Sequence, residues 1–390
     1  MPSLPSGSAA SQFQMPAASG LKGTQTYPVD VDRAMPETVS GRPVPEPVRQ
    51  VVDKLLPALE KQQASLADLF ANLQAVSAQV SSGQMDVPKP VQTAIEQILG
   101  LRLGGQAAGT GQGNAADDVV LSAEDVQRAL ELSGLFREMV MRPSTGKAAG
   151  GDDLKSLLMN LRKLLQAMGG EELPARPLTQ PRVPSLRGSP QGQPPAQANL
   201  PAQEDGPEAL ASRLLKDTDG ALSRIRLEQL ASRGITREAA GQQQGASASQ
   251  SGGGSSPAHA SHSGGGRAMD LVVDLPLAVG GQTAVVQMQI GRDPDHNGDA
   301  DSGERAWRLR FALDLTATGP MEAAVSLRGG STYVSLWADR EEMHRALNEN
   351  RESLEAAFAH AGLDLQELRF IRGLPARRRF AAGASVDRQS

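Results

Sequence analysis

Apolar positions in the first half of the chain recur at helical spacing. Leu66, Leu69, Phe70, Leu73, Val76 and Val80 follow an i, i+3, i+4, i+7 pattern, which predicts an amphipathic helix. Leu154, Leu157, Leu158, Leu161, Leu165 and Met168 predict a second. Val52, Leu55, Leu56 and Leu59 form a shorter stripe interrupted by Pro57. Ser122 and Asp125, three residues apart, predict a helix start that leads into Leu130, Leu135, Phe136 and Val140. Pro207 opens a further helix carrying Leu210, Leu214, Leu222, Ile225 and Leu230.

The period changes near the C-terminus. Val286, Met288 and Ile290 alternate with Gln287 and Gln289, as in a half-buried strand. Trp307, Leu309, Phe311, Leu313 and Leu315 alternate with Arg308, Arg310 and Asp314, and Met321, Ala323, Val325 and Leu327 continue the rhythm. Gly329-Gly330 separates that run from Thr332–Trp337, and two consecutive glycines predict a tight hairpin. Asp339 with Glu342 predicts the start of a helix whose face carries Met343, Leu347, Leu354 and Phe358 and which ends at Gly362. Leu365, Leu368 and Phe370 predict a last short strand. The sum is an α+β C-terminal domain, an antiparallel sheet with one covering helix, after a largely disordered, partly helical N-terminal region.

Composition sharpens the division. Six of eleven aromatic residues lie between 268 and 375, against only four of 26 prolines. Aromatics carry much of a core's buried area and proline interrupts regular structure, so one strong core is expected there. Residues 1–46 are rich in Pro, Ser, Gly and Gln and are expected to be disordered. Residues 47–170 are read as loosely packed helices that dock on other proteins, 171–206 as a Pro/Gln-rich linker and 207–240 as a helical segment. Residues 241–267 read as a Gly/Ser tether, 268–375 as the C-terminal domain and 376–390 as a basic polar tail.

Chemistry-bearing constellations are scarce. The chain has no cysteine, which excludes disulfides, zinc–thiolate sites and cysteine nucleophiles. A formal charge of −5 gives no argument for nucleic acid, and no apolar run approaches the ~20 residues of a membrane span. The N-terminus carries no basic segment followed by an apolar one, so a standard secretory signal is not expected. His259, His262, His296, His344 and His360 are scattered, no serine sits in a nucleophile elbow, and no glycine-rich run leads into Lys-Ser or Lys-Thr. Catalytic, cofactor-binding and metal residues are therefore expected to be none, and the chain is expected not to be an enzyme. Asp293, Asp295, Asn297, Gly298 and Glu304 match the spacing of a calcium loop, but between strand-like segments rather than helices. A calcium-dependent surface or adhesion module is the alternative reading they support. Arg377, Arg378 and Arg379, close behind Arg369 and Arg372, form a charge run that could meet an acidic partner.

The run Trp307-x-Leu-x-Phe-x-Leu-x-Leu315, with Gly319-Pro-Met-x-Ala-x-Val-x-Leu327, Val334-x-Leu-Trp-Ala-Asp339, Leu347, Leu354 and Ala361-Gly-Leu363, resembles the C-terminal domain of flagellar hook-length control proteins. Leu315 and Thr318 stand where many members carry Pro and a second Leu. The resemblance implies export through the flagellar type III apparatus, from the cytoplasm to the flagellum. It implies that the N-terminal arm samples hook length through hook and hook-cap subunits. It also implies that the C-terminal domain meets the cytoplasmic domain of the export switch protein, turning export from hook-type to filament-type substrates. A monomer without membrane insertion is expected, with the C-terminal domain alone resisting unfolding. The turn at Gly329-Gly330 and the polar face of the 339–361 helix are the expected contact surface.

Overall fold

Residues 46–104, 122–135, 153–170, 181–185, 189–202, 205–233, 271–292 and 306–375 are described by a computed structural model. All lie within one compact unit, Glu37–Ser390.

Among the described residues six helices precede the sheet: α1 (Glu46–Gln62), α2 (Leu66–Ser81), α3 (Lys89–Gly100), α4 (Ala123–Leu132), α5 (Leu154–Ala167) and α6 (Gly206–Ser232). Their starts follow from local chemistry. Ser65 caps α2 by accepting from Ala67 N, and Asp153 caps α5 by accepting from Ser156 N. Ser122 and Asp125 form the reciprocal capping box that their spacing predicts.

These helices are not loosely packed, which corrects the expectation for 47–170. Leu66, Leu69, Phe70, Leu73 and Val76 of α2, Ile95 and Ile98 of α3, Leu158, Leu161 and Leu165 of α5, and Leu214 and Leu215 of α6 are almost wholly buried in one cluster. Each large apolar side chain buried this way contributes about 1.5–3 kcal/mol. The breakers that argued for looseness lie between helices, where turns need them. Pro90 falls in the first turn of α3, where a missing N–H costs nothing. α6 is buried on most of its circumference because α1, α2, α5 and a strand surround it.

The sheet has six strands in sequence order: β1 (Leu271–Val279), β2 (Gln282–Arg292), β3 (Trp307–Leu315), β4 (Gly319–Arg328), β5 (Ser331–Ala338) and β6 (Asp364–Arg372). The first four neighbouring pairs are antiparallel. Gly329 and Gly330 (φ 55° and 85°) turn β4 into β5 as their pairing predicts, and Gly280 and Gly281 (φ 53° and 79°) do the same between β1 and β2. β6, however, is parallel to β5, so the sheet is mixed. The chain leaves β5, returns through helices, and enters β6 at the same end, as a parallel pair requires.

The single helix expected over 339–361 is two: α7 (Glu341–Glu349) and α8 (Arg351–His360). Asn348 Nδ2 donates to His344 O at 2.7 Å and Asn350 Nδ2 to Ala346 O at 2.8 Å. Such side-chain bonds to the preceding turn compete with the helical ladder, and the break falls at Asn350.

Register separates two faces. Met288, Phe311, Ala323, Leu336 and Phe370 form one continuous row, and Leu309, Val325, Val334 and Leu368 another, on an apolar face. α4 and Leu103 pack on this face at β1 and β2, and α7 and α8 pack on β5 and β6. The opposite face is polar over Asp274, Gln287, Gln289 and Arg310, yet α2 and α6 dock there on β1 and β2. Within the Pro/Gln-rich linker expected over 171–206, the stretch 189–202 is also docked. Gln191 N donates to Gln287 Oε1 (2.9 Å), Arg310 Nη2 to Ser189 Oγ (2.7 Å), and Asn199 N to Asn72 Oδ1 (2.7 Å). Residues 189–202 are an extended strap from helices to sheet.

Candidate interaction surface

The most concentrated set of charged groups lies where the helices meet β1. Arg224 of α6, 1% exposed, donates through Nε to Asp274 Oδ2 at 2.9 Å and lies 3.3 Å from Glu228 Oε1. Its Nη1 donates to Gln63 Oε1 at 3.1 Å and to the Arg182 carbonyl. Asp274 also accepts from Gln193 Nε2 (2.5 Å) and Gln287 Nε2 (3.0 Å). Two carboxyls thus share one guanidinium out of water. Burial, and then the Asp274 charge, hold the Glu228 carboxyl well above the ordinary carboxylate range. Burial pushes the Arg224 guanidinium down, but Asp274 and Glu228 outweigh it and the net shift is upward. A second cluster behaves similarly: burial raises the Asp217 carboxyl against the pull of Arg213 and a 2.6 Å hydrogen bond from Asn72.

Perturbed carboxyls often mark catalytic sites. Here Arg224, Glu228 and Asp274 are each at most 2% exposed and their partners are structural groups of the turn between α1 and α2, the strap, β1 and β2. The cluster joins elements rather than meeting a substrate. The sequence carried a faint sign of it: Arg224 and Glu228 stand four apart on the predicted helix, and Asp274 interrupts a β-rich run.

The accessible chemistry lies on β4–β6. The polar face, covered by helices and strap at β1–β3, is open farther along. Tyr333 (41% exposed) and Ile371 (36%) lie there, and half-buried Trp337 pairs in register with Ile371. Tyr, Trp and Arg dominate binding hot spots, and Arg369 stands on the same face beside Glu367 at 2.5 Å. On the far side of β6, a groove of about 560 Å³ runs between β6 and the Arg351, Glu355 and Ala359 stripe of α8. Arg351 lies 4.7 Å from the Phe370 ring centroid and donates to Leu368 O at 3.1 Å.

The expected contact groups fall around this region. Gly329-Gly330 is an exposed turn. The polar side of α7 and α8 carries Glu341–Arg345 and Arg351–Glu355 pairs, and Arg372 reaches Glu341 at 3.2 Å. Exposed pairs of this kind contribute little to stability, which leaves their charges available for recognition. Arg377–Arg379 lie outside the described residues, as do Asp293, Asp295, Asn297 and Glu304 of the calcium-like loop, and His259, His262 and His296. His344 and His360 stand apart on α7 and α8. Among the described residues no cluster of three or more acidic, histidine or cysteine side chains could hold a metal ion, and no helix is long and apolar enough to cross a membrane.

Residues 296–376 match the family model described as "Flagellar hook-length control protein FliK". No curated protein and no solved structure matches the chain. The matched span takes in β3–β6 with α7 and α8, the stretch on which residues 307–363 resemble hook-length control proteins. β1, β2 and the helices before them lie outside it.

Proposed function

We propose that this chain sets flagellar hook length as a non-enzymatic, monomeric export substrate. It leaves the cytoplasm through the type III apparatus of the flagellum and acts along the growing hook. Its C-terminal domain meets the cytoplasmic domain of the export switch protein and ends the export of hook-type substrates. The observation that carries the reading is the family match over 296–376, which coincides with the strands that leave Tyr333, Trp337 and Ile371 uncovered. Sampling of length through hook and hook-cap subunits belongs to the preceding residues. Fully extended at ~3.3 Å per residue, 1–267 would reach about 900 Å at most. The packed helices reach that span only when unfolded, so transit and measurement require their unfolding.

Deleting the gene is expected to give cells with overlong hooks and no filaments. Restoring the full chain should return both. Hooks of normal length with filaments in the deletion strain would refute the proposal.

A further inference from the structure

The two edges of the sheet are treated differently. At β1 the chain closes its own edge. Ser232 Oγ accepts from Val272 N at 2.9 Å near one end. Near the other, Leu103 N donates to Pro276 O at 2.8 Å and Ala278 N donates to Leu103 O at 2.9 Å. Pro276 brings no N–H to that edge.

At β6 no described strand lies beyond the edge. One side-chain bond, Arg351 Nη1 to Leu368 O, covers its middle. The edge forms one wall of a groove whose other wall is the i, i+4, i+8 stripe Arg351, Glu355 and Ala359 of α8. An edge strand beside a helix flank is the geometry in which an extended peptide adds to a sheet, with main-chain bonds supplying affinity and alternate side chains supplying selectivity. The groove volume of about 560 Å³ suits a short peptide. Three carboxylates line it, Glu355, Asp364 and Glu367, against the guanidinium of Arg351 beside Glu355 and that of Arg369 beside Glu367, and Leu363 and Leu365 add apolar lining.

We infer that the groove between α8 and β6 takes an extended, basic segment of another protein as a seventh strand. Lysines or arginines of that segment face Glu355, Asp364 and Glu367, and its apolar residues alternate toward Leu363 and Leu365. One of its backbone N–H groups replaces Arg351 on the Leu368 carbonyl. The inference stands apart from the flagellar reading, since it needs only the edge, the groove and their charge.

The test uses the full chain and fluorescein-labelled peptides of nine residues, the length of β6, with alternating lysine and valine. Anisotropy is expected to show saturable binding. A glutamate–valine twin should bind about tenfold more weakly, because its charge opposes the groove. A lysine–valine peptide N-methylated at alternate residues should lose a similar factor, because it lacks the strand-forming donors. Ala359→Trp, at an exposed position of the groove wall, should weaken binding about tenfold without changing the melting temperature. Equal binding of the two charge types, or indifference to N-methylation, overturns the inference. So does binding that emerges only when the chain is shortened after Pro375, because residues 376–390 would then be the natural occupant.

Discussion

Glu228→Gln tests the reading of the buried cluster most directly. Glu228 and Asp274 share Arg224, and burial disfavours a second negative charge beside it. The folded protein therefore holds the Glu228 proton to a pH well above the ~4.3 at which an unfolded glutamate releases it. A raised folded-state value gives stability that is fully present below the unfolded value and is lost as pH rises toward and through the folded one. Within that interval the native state binds one more proton than the unfolded state, so this group lowers stability by about 1.4 kcal/mol per pH unit. The glutamine amide would be neutral in both states and could still donate to Asp274 as the protonated acid does. Wild type and Glu228→Gln should therefore be close in stability near pH 4.5. The variant should then gain on wild type as pH rises above the unfolded value, at up to about 1.4 kcal/mol per pH unit. Urea denaturation of both proteins at half-unit intervals measures the difference, in which Asp217 and every other titrating group cancel. Parallel pH profiles would mean that Glu228 is ionised in the folded protein and would refute the argument.

Two further outcomes follow from geometry. Gly192 lies against β3 so closely that an added Cβ would sit 2.5 Å from the Leu313 carbonyl carbon. Gly192→Ala should thus lift the strap and cost about 1–3 kcal/mol by urea denaturation, and an unchanged midpoint would count against strap docking. Tyr333→Ser with Ile371→Ser removes the two exposed large apolar groups of the open face. It should leave the melting temperature within a few degrees but produce overlong hooks in place of wild type, and normal hooks would move the contact elsewhere.

The sequence made some of this legible and hid the rest for physical reasons. The alternation of Trp307–Leu315 matches β3 residue for residue, because Leu309 and Phe311 on one side pack against an apolar cluster while Arg310 on the other meets the polar strap. The stripe of α5 is readable because that helix has a single buried side, and that of α2 because its large apolar residues keep helical spacing even though its first five residues are all buried. α3 is obscured, although Val91, Ile95 and Ile98 hold helical spacing, because Pro88 and Pro90 suggest a loop. β1 is hidden because cover on both faces abolishes alternation: Val272, Val273, Asp274 and Leu275 are all buried in succession. The parallel entry of β6 depends on how far α7 and α8 carry the chain back, which local pattern does not encode. Polar residues such as Gln193 and Arg224 read as linker or surface because their burial depends on partners far away in sequence, Asp274 among them.

The packing changes where resistance to unfolding must lie. A loose arm followed by one knit domain would place that resistance in the C-terminal sheet alone. Instead Val285 of β2 belongs to the main helical core, and Asp274 of β1 anchors Arg224 of α6. β1 and β2 are outside the family match, yet they continue the sheet of the matched domain through the β2–β3 pairing. This hairpin is therefore the piece through which helices and family domain share one hydrogen-bonded sheet. Pulling α6 away would take Arg224, together with Glu228 of the same helix, from Asp274 and leave buried charge without its partner, at about 3–5 kcal/mol. Peeling β1 from β2 would open the same cluster from the other side, since Gln287 also bonds Asp274. Either route breaks both bodies, so the helices and the sheet should unfold together, and any passage of the chain through a narrow channel has to overcome their joint stability.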